Sequence, residues 1–118
     1  MIKYIVYYRV STKSQGDSGL GLDAQKRDVS LYLDGCVEAY EVVERFTDID
    51  SGANEARVEL GNAKDLAKKV GGVILVAKLD RLSRKVSHIA ALMEDKKLDF
   101  KVACMPNADK FMFHIYAA

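Results

Sequence analysis

Two histidines, two cysteines and a single proline are all that the 118-residue chain holds of those three residue types. Each shortage excludes something. Cys36 and Cys104 are too few for a disulfide framework and lack the close spacing of a zinc site, so a reducing cytoplasm is the expected compartment. His88 falls within a helical pattern and His114 within the terminal segment, neither in a stretch that ends a strand. No G-x-S-x-G turn surrounds Ser11, so a Ser-His-Asp hydrolase is disfavoured. No apolar run is long enough to span a membrane, and the apolar start "YIVYY" is too short for a signal-peptide core. The single proline and the lack of low-complexity tracts, with 49% apolar and 30% charged residues, argue against disorder. A net charge of +1 by itself argues neither for nor against nucleic acid.

What is present is the patterning of one domain. At this length a chain buries roughly two-thirds of the surface it exposes when unfolded, enough for a core without staples. "IKYIVYYRV" is rich in β-branched and aromatic residues and predicts a first strand. A loop rich in glycine and serine follows, Ser14 to Gly21. Leu22, Val29 and Leu33 then recur at helical spacing, predicting a helix over 22–34 with Gly35 as its stop. "EVVERF" predicts a second strand ending in the polar loop "TDIDSGANEAR". Leu60, Ala63, Leu66, Ala67 and Val70 mark a second helix closed by Gly71-Gly72. "GVILVA" is a continuous apolar run, the pattern of a strand buried on both faces. Val86, Ile89, Ala90 and Met93 predict a third helix, and "FKVACM" a fourth strand.

Strictly alternating strands and helices predict an α/β fold, with a largely parallel central sheet of four to five strands flanked by helices. Ligands of such sheets gather at the carboxyl ends of the strands. Three polar segments fall there: Arg9–Gln15, Asp48–Arg57 and Lys78–Arg84. The ending, "DKFMFHIYAA", opens on a capping candidate, Asp109, turns apolar almost all round, and stops in mid-pattern.

The chemistry these segments suit is that of phosphate. A forked guanidinium binds phosphate oxygens bidentately, and charge develops on those oxygens during displacement at phosphorus. Arg9, Arg57, Arg81 and Arg84 supply four such groups from the three strand-end segments. "KLDRLSRK" carries four basic residues against one acid, which fits either an anion site or a solvated charge run. Asp48 and Asp50 could share a cation, but no His/Cys cluster supports them, and a turn acid is the simpler reading. Gly19, Gly21 and Ala24 match a G-x-G-x-x-A dinucleotide fingerprint. They stand some nine residues beyond Val10, too far from the strand to present helix N–H groups at its end, and read as loop glycines.

With these residues assembled, the chain resembles the catalytic domain of the serine recombinases, the resolvase/DNA-invertase family. "YYRVSTKSQ" is similar to the family's nucleophile motif, "GLGLDAQKR" to the opening of its first helix, "FTDIDSGANEAR" to its acid-and-arginine loop and "VAKLDRLSR" to its third signature. The resemblance implies that Ser11 is the nucleophile on a DNA phosphodiester, giving a 5′-phosphoserine linkage and a free 3′-hydroxyl. It implies that Arg9, Arg57, Arg81 and Arg84 hold the scissile phosphate, and that Asp80 moves a proton or orients an arginine. Tyr7, Gln15, Gln25 and Asp48 would be supporting residues. Arginine stays protonated, so the proton of Ser11 goes to Asp80, to a water or to the leaving group's surroundings.

The family needs neither metal nor nucleotide cofactor. Its partners are double-stranded DNA and further copies of itself, a dimer on each site and a tetramer in the synapse, with no membrane. On this reading residues 1–106 are the catalytic domain and 107–118 the start of a truncated dimerisation helix. The rest of that helix, with a further active-site arginine, and a DNA-binding domain would be absent, so the fragment alone should lack full activity. Val58 stands where relatives often carry proline, which should loosen the start of the second helix slightly. The alternative reading is a non-catalytic interaction or regulatory module on the same fold. A receiver-like phosphoacceptor would instead want clustered acids where this chain has Arg9 and Ser11.

Overall fold

A computed structural model describes residues 1–11, 21–50, 58–78 and 86–106. Strand β1 (Ile2–Ser11) is followed by helix α1 (Leu22–Asp34), β2 (Tyr40–Asp50), α2 (Val58–Val70), β3 (Val73–Val76), α3 (Val86–Glu94) and β4 (Asp99–Val102). The four strands form one sheet in the order β2-β1-β3-β4, and every pairing between them is parallel.

The chain leaves β1 toward β2 on one side, then returns past β1 to β3 and β4 on the other. A parallel crossover is right-handed, so connections running in opposite directions must lie on opposite faces of the sheet. The packing follows this rule. Tyr4, Val6 and Tyr8 of β1 share one core with Val29 and Leu33 of α1. Ile5 and Tyr7 share the other with Leu60, Ala63 and Ala67 of α2 and with Ile89 and Met93 of α3. Alternate residues of one strand thus serve two cores, which is why "YIVYY" is apolar without a gap.

Both inner helices end where their glycines stand. Gly71 has a φ of 67°, and the Gly72 N–H donates to the Ala67 carbonyl at 2.9 Å, closing α2 with a left-handed C-cap. A side chain at Gly72 would strike the Lys3 carbonyl, 2.9 Å from where its Cβ would sit, and Ile5 Cδ1. Gly72 lets the helix drop straight into β3 against β1.

One boundary differs from the sequence expectation. Residues Thr47–Asp50, expected as loop, belong to β2, because β1 pairs with them in register as Tyr8↔Thr47, Arg9↔Asp48, Val10↔Ile49 and Ser11↔Asp50. Aspartate is poor in strands by itself, and the parallel ladder with β1 overrides that preference. Asp48 is accordingly a strand residue and not a turn acid. β2 also holds one extra residue: Tyr4 pairs with Val42 and Ile5 with Glu44, leaving Val43 as a bulge on the sheet edge. At the other side, β4 ends at Val102 and the chain doubles back so that Met105 bridges Val102, shortening the expected "FKVACM" strand.

Candidate active site

The strand order reverses between β1 and β3, and in an open α/β sheet this is where a crevice opens beyond the strand ends. Here the crevice starts early. β3 pairs with β1 only at Tyr4↔Val73, Ile5↔Ile74 and Val6↔Leu75, whereas β1 continues to Ser11. Beyond Val6, β1 keeps β2 on one side and, among the described residues, has no strand partner on the other.

Side chains take over where β3 stops. The Arg9 N–H donates to Gln25 Oε1 at 3.1 Å, and Gln25 Nε2 donates back to the Arg9 carbonyl at 2.9 Å. Both residues are buried, each 3% exposed. Gln25 lies on the inward stripe of α1 with Val29 and Leu33, the only polar residue of the three.

On the α2 face, Tyr7 donates its hydroxyl to Asp48 Oδ2 at 2.8 Å. Asp48 also accepts the N–H of Glu59 on Oδ1 and of Leu60 on Oδ2, both at 3.0 Å. These are N–H groups of the first turn of α2, which no earlier residue of a helix can satisfy. A buried carboxylate from a neighbouring strand caps the helix, with charge-assisted bonds at its positive end. The sequence before Val58 reads "EAR" and offers no serine, threonine, asparagine or aspartate as a local cap. The Asp48 cap comes from ten residues upstream of Val58.

The structure thus brings Tyr7, Arg9, Gln25 and Asp48 together at the end of β1, with Ser11 as the last residue of that strand. Gln15, Arg57, Asp80, Arg81 and Arg84 lie outside the described residues. The N–H groups of Glu59 and Leu60 were not foreseen. Backbone donors carry no letter in a sequence, and the missing local cap was the only sign of them. Two cavities among the described residues, about 350 and 360 Å³, lie elsewhere: one between α2 and α3 around Leu60 and Leu92, the other between α1 and the turn after β4. Among the described residues no cluster of His, Cys, Asp and Glu could hold a metal ion.

Comparison with known proteins agrees with this geometry. The family model described as Resolvase, N terminal domain, matches residues 4–118. The chain belongs to the resolvase N-terminal domain family. Within this resolvase family, the chain is 38% identical over 94 residues to "Probable DNA-invertase y4cG" of Sinorhizobium fredii, an alignment covering 79% of this chain and 26% of that protein. The chain thus spans about a quarter of the length of that relative. Among solved structures, the N-terminal catalytic domain of TP901-1 integrase superposes with a TM-score of 0.73 at 28% identity, covering 98% of this chain and 88% of that one. A resolvase family site-specific recombinase from Streptococcus pneumoniae gives 0.66 at 27% identity, covering 98% and 83%. The C-terminal catalytic domain of ISC1926 TnpA, an IS607-like serine recombinase, gives 0.63 at 25% identity, covering 98% and 76%. The parallel sheet with flanking helices is that of the serine recombinase catalytic domains, and this resolvase domain shares it.

Proposed function

We propose that this resolvase-family chain is the DNA-cleaving domain of a site-specific recombinase in which Ser11 is the nucleophile. The hydroxyl of Ser11 attacks a phosphodiester phosphorus, and the bond from phosphorus to the 3′-oxygen breaks. The products are a 5′-phosphoserine linkage and a free 3′-hydroxyl, which takes up a proton as Ser11 gives one up. The reverse attack by a 3′-hydroxyl on the phosphoserine rejoins DNA, so no external energy source is required. Arg9, Arg57, Arg81 and Arg84 would neutralise the charge growing on the non-bridging oxygens. Asp80 would take or relay the serine proton or orient an arginine, while Tyr7, Gln15, Gln25 and Asp48 hold the surroundings.

The observation that carries this reading is the buried Arg9 at the fork of the sheet, two residues before Ser11. An arginine that is 3% exposed is expensive to desolvate, and the fold holds its main chain with the Gln25 carboxamide beside the strand residue Asp48, which pairs with it in register. A tetramer of full-length chains, synapsing two DNA sites, would complete the reaction, with residues 1–106 as its catalytic domain and 107–118 leading into the dimerisation helix. The test is covalent capture on a nicked duplex carrying the protein's own recombination site. Full-length protein should form a protein–DNA adduct, and Ser11→Ala should form none. Adducts formed by Ser11→Ala would sink the assignment, and a wild-type protein that never cleaves would favour a non-catalytic module.

A further inference from the structure

The fork between β1 and β3 raises a problem that Gln25 solves. Residues of a central strand expect main-chain partners on both sides, and a buried N–H or C=O left without one is costly. β3 stops pairing after Val6↔Leu75, so among the described residues Arg9 meets no third strand on that side. A carboxamide carries one acceptor and one donor side by side, like a peptide group. That of Gln25 occupies both main-chain groups of Arg9, at 3.1 and 2.9 Å. Gln25 does so from a position where α1 would otherwise bury an apolar side chain, since Val29 and Leu33 follow it at intervals of four.

We propose that Gln25 is a positioning residue for the cleavage step. Its carboxamide stands in for the missing strand and fixes the main chain at Arg9, and through it the strand end that carries Ser11. The proposal rests on Ser11 as nucleophile and Arg9 as phosphate ligand. It extends that reading by giving α1 a part in the site: beyond the last β1–β3 pair, Val6↔Leu75, the Gln25 carboxamide holds the main chain of β1. A misplacement of a positioned group by a fraction of an ångström to one ångström is enough to slow a reaction that depends on alignment.

The experiment has two arms. The first follows hydrogen exchange at the Arg9 amide by NMR in the wild-type domain, Gln25→Met and Gln25→Glu. Methionine matches glutamine in length but offers no comparable bond. The Arg9 N–H should then exchange faster by on the order of tenfold, while amides elsewhere in β1 change less. Glutamate keeps an acceptor for the N–H but removes the donor to the carbonyl, so its effect should be smaller.

The second arm measures single-turnover adduct formation and DNA affinity in the full-length protein. Gln25→Met should cleave more slowly by on the order of tenfold to a hundredfold with unchanged affinity for DNA, because the defect lies in alignment and not in binding. Wild-type cleavage rates in a variant whose Arg9 amide has lost protection would overturn the proposal, as would unaltered exchange at Arg9 in Gln25→Met. If Gln25→Met does not fold, Gln25→Leu, which likewise offers no bond to the Arg9 main chain, takes its place in both arms, and the same two results overturn the proposal. Absence of adducts from the wild-type protein would instead strike the recombinase reading, and the exchange arm would still decide whether the clamp exists.

Discussion

Tyr4 and Tyr7 stand three residues apart on the same strand, both buried, and their hydroxyls are satisfied in opposite ways. Tyr4 faces α1. Its hydroxyl lies 3.1 Å from that of Tyr32, and its ring meets those of Tyr32 and Tyr40 edge-on, at centroid distances of 5.9 and 6.0 Å. All these partners are neutral, and the cluster behaves as an aromatic core with polar tips. Tyr7 faces α2 and donates instead to the carboxylate of Asp48, which is itself 6% exposed. The two halves of β1 thus follow different rules. Where the strand lies between two neighbours, apolar packing dominates. Where it outruns β3, the fold keeps a carboxylate, a guanidinium and a carboxamide buried, an arrangement that an apolar core of similar shape would match or surpass in stability. Charge retained at such cost, at the carboxyl end of the sheet, sets this half of the strand apart as the candidate site.

The contrast can be broken most sharply at Asp48. Asp48→Ala removes the acceptor of two helix N–H groups and of the Tyr7 hydroxyl at once, and should cost about 2–4 kcal/mol in urea denaturation while also depressing adduct formation. An Asp48→Ala protein as stable as wild type would show that α2 does not depend on the cap.

Smaller effects separate the two tyrosines. Tyr7→Phe leaves a buried carboxylate short of one donor and should cost about 1.5–3 kcal/mol, with slower DNA cleavage. Tyr4→Phe loses only neutral contacts, to the Tyr32 hydroxyl and the Cys36 sulfur, should cost about 0.5–1.5 kcal/mol, and should leave cleavage intact in the full-length protein. Equal losses of activity in the two variants would erase the distinction between the two halves of β1.

The mildest test is an alkaline titration. Burial first, and then the neighbouring Tyr32 hydroxyl, raise the Tyr4 pKa far above its ordinary value of 10.0. Above that ordinary value the unfolded chain releases the proton and the folded one retains it. The folded state then binds more protons, so this contribution to stability is fully present below pH 10 and falls as pH rises further. Denaturation midpoints followed from neutral pH upward should decline less steeply beyond pH 10 in Tyr4→Phe than in wild type.

Much of this architecture was legible in the letters. Continuous apolar runs marked the central strands, because a strand buried on both faces has no polar side to show. The stripe through Leu22, Val29 and Leu33 located α1 at 22–34, where the structure has it. The site was legible in part. Strand-end placement singled out Arg9 and Asp48, and the motifs added Tyr7 and Gln25, but their partnerships were not readable. Gln25 meets a main chain 16 residues away and Tyr7 a carboxylate 41 residues away, separations at which no local pattern operates. Thr47–Asp50 read as loop for the same reason, since their strand conformation comes from pairing with β1.

By itself the sequence determined the order of strands and helices, the family and the residue types suited to phosphate, all of which rest on periodicity and short-range motifs. Only the tertiary structure decided that β1 outruns β3, that a glutamine fills the gap, and that Asp48 caps a helix from a neighbouring strand. Those facts depend on where backbone donors and acceptors lose their partners. Every residue but proline carries the same two backbone groups, so that loss becomes visible only when the strands are laid side by side.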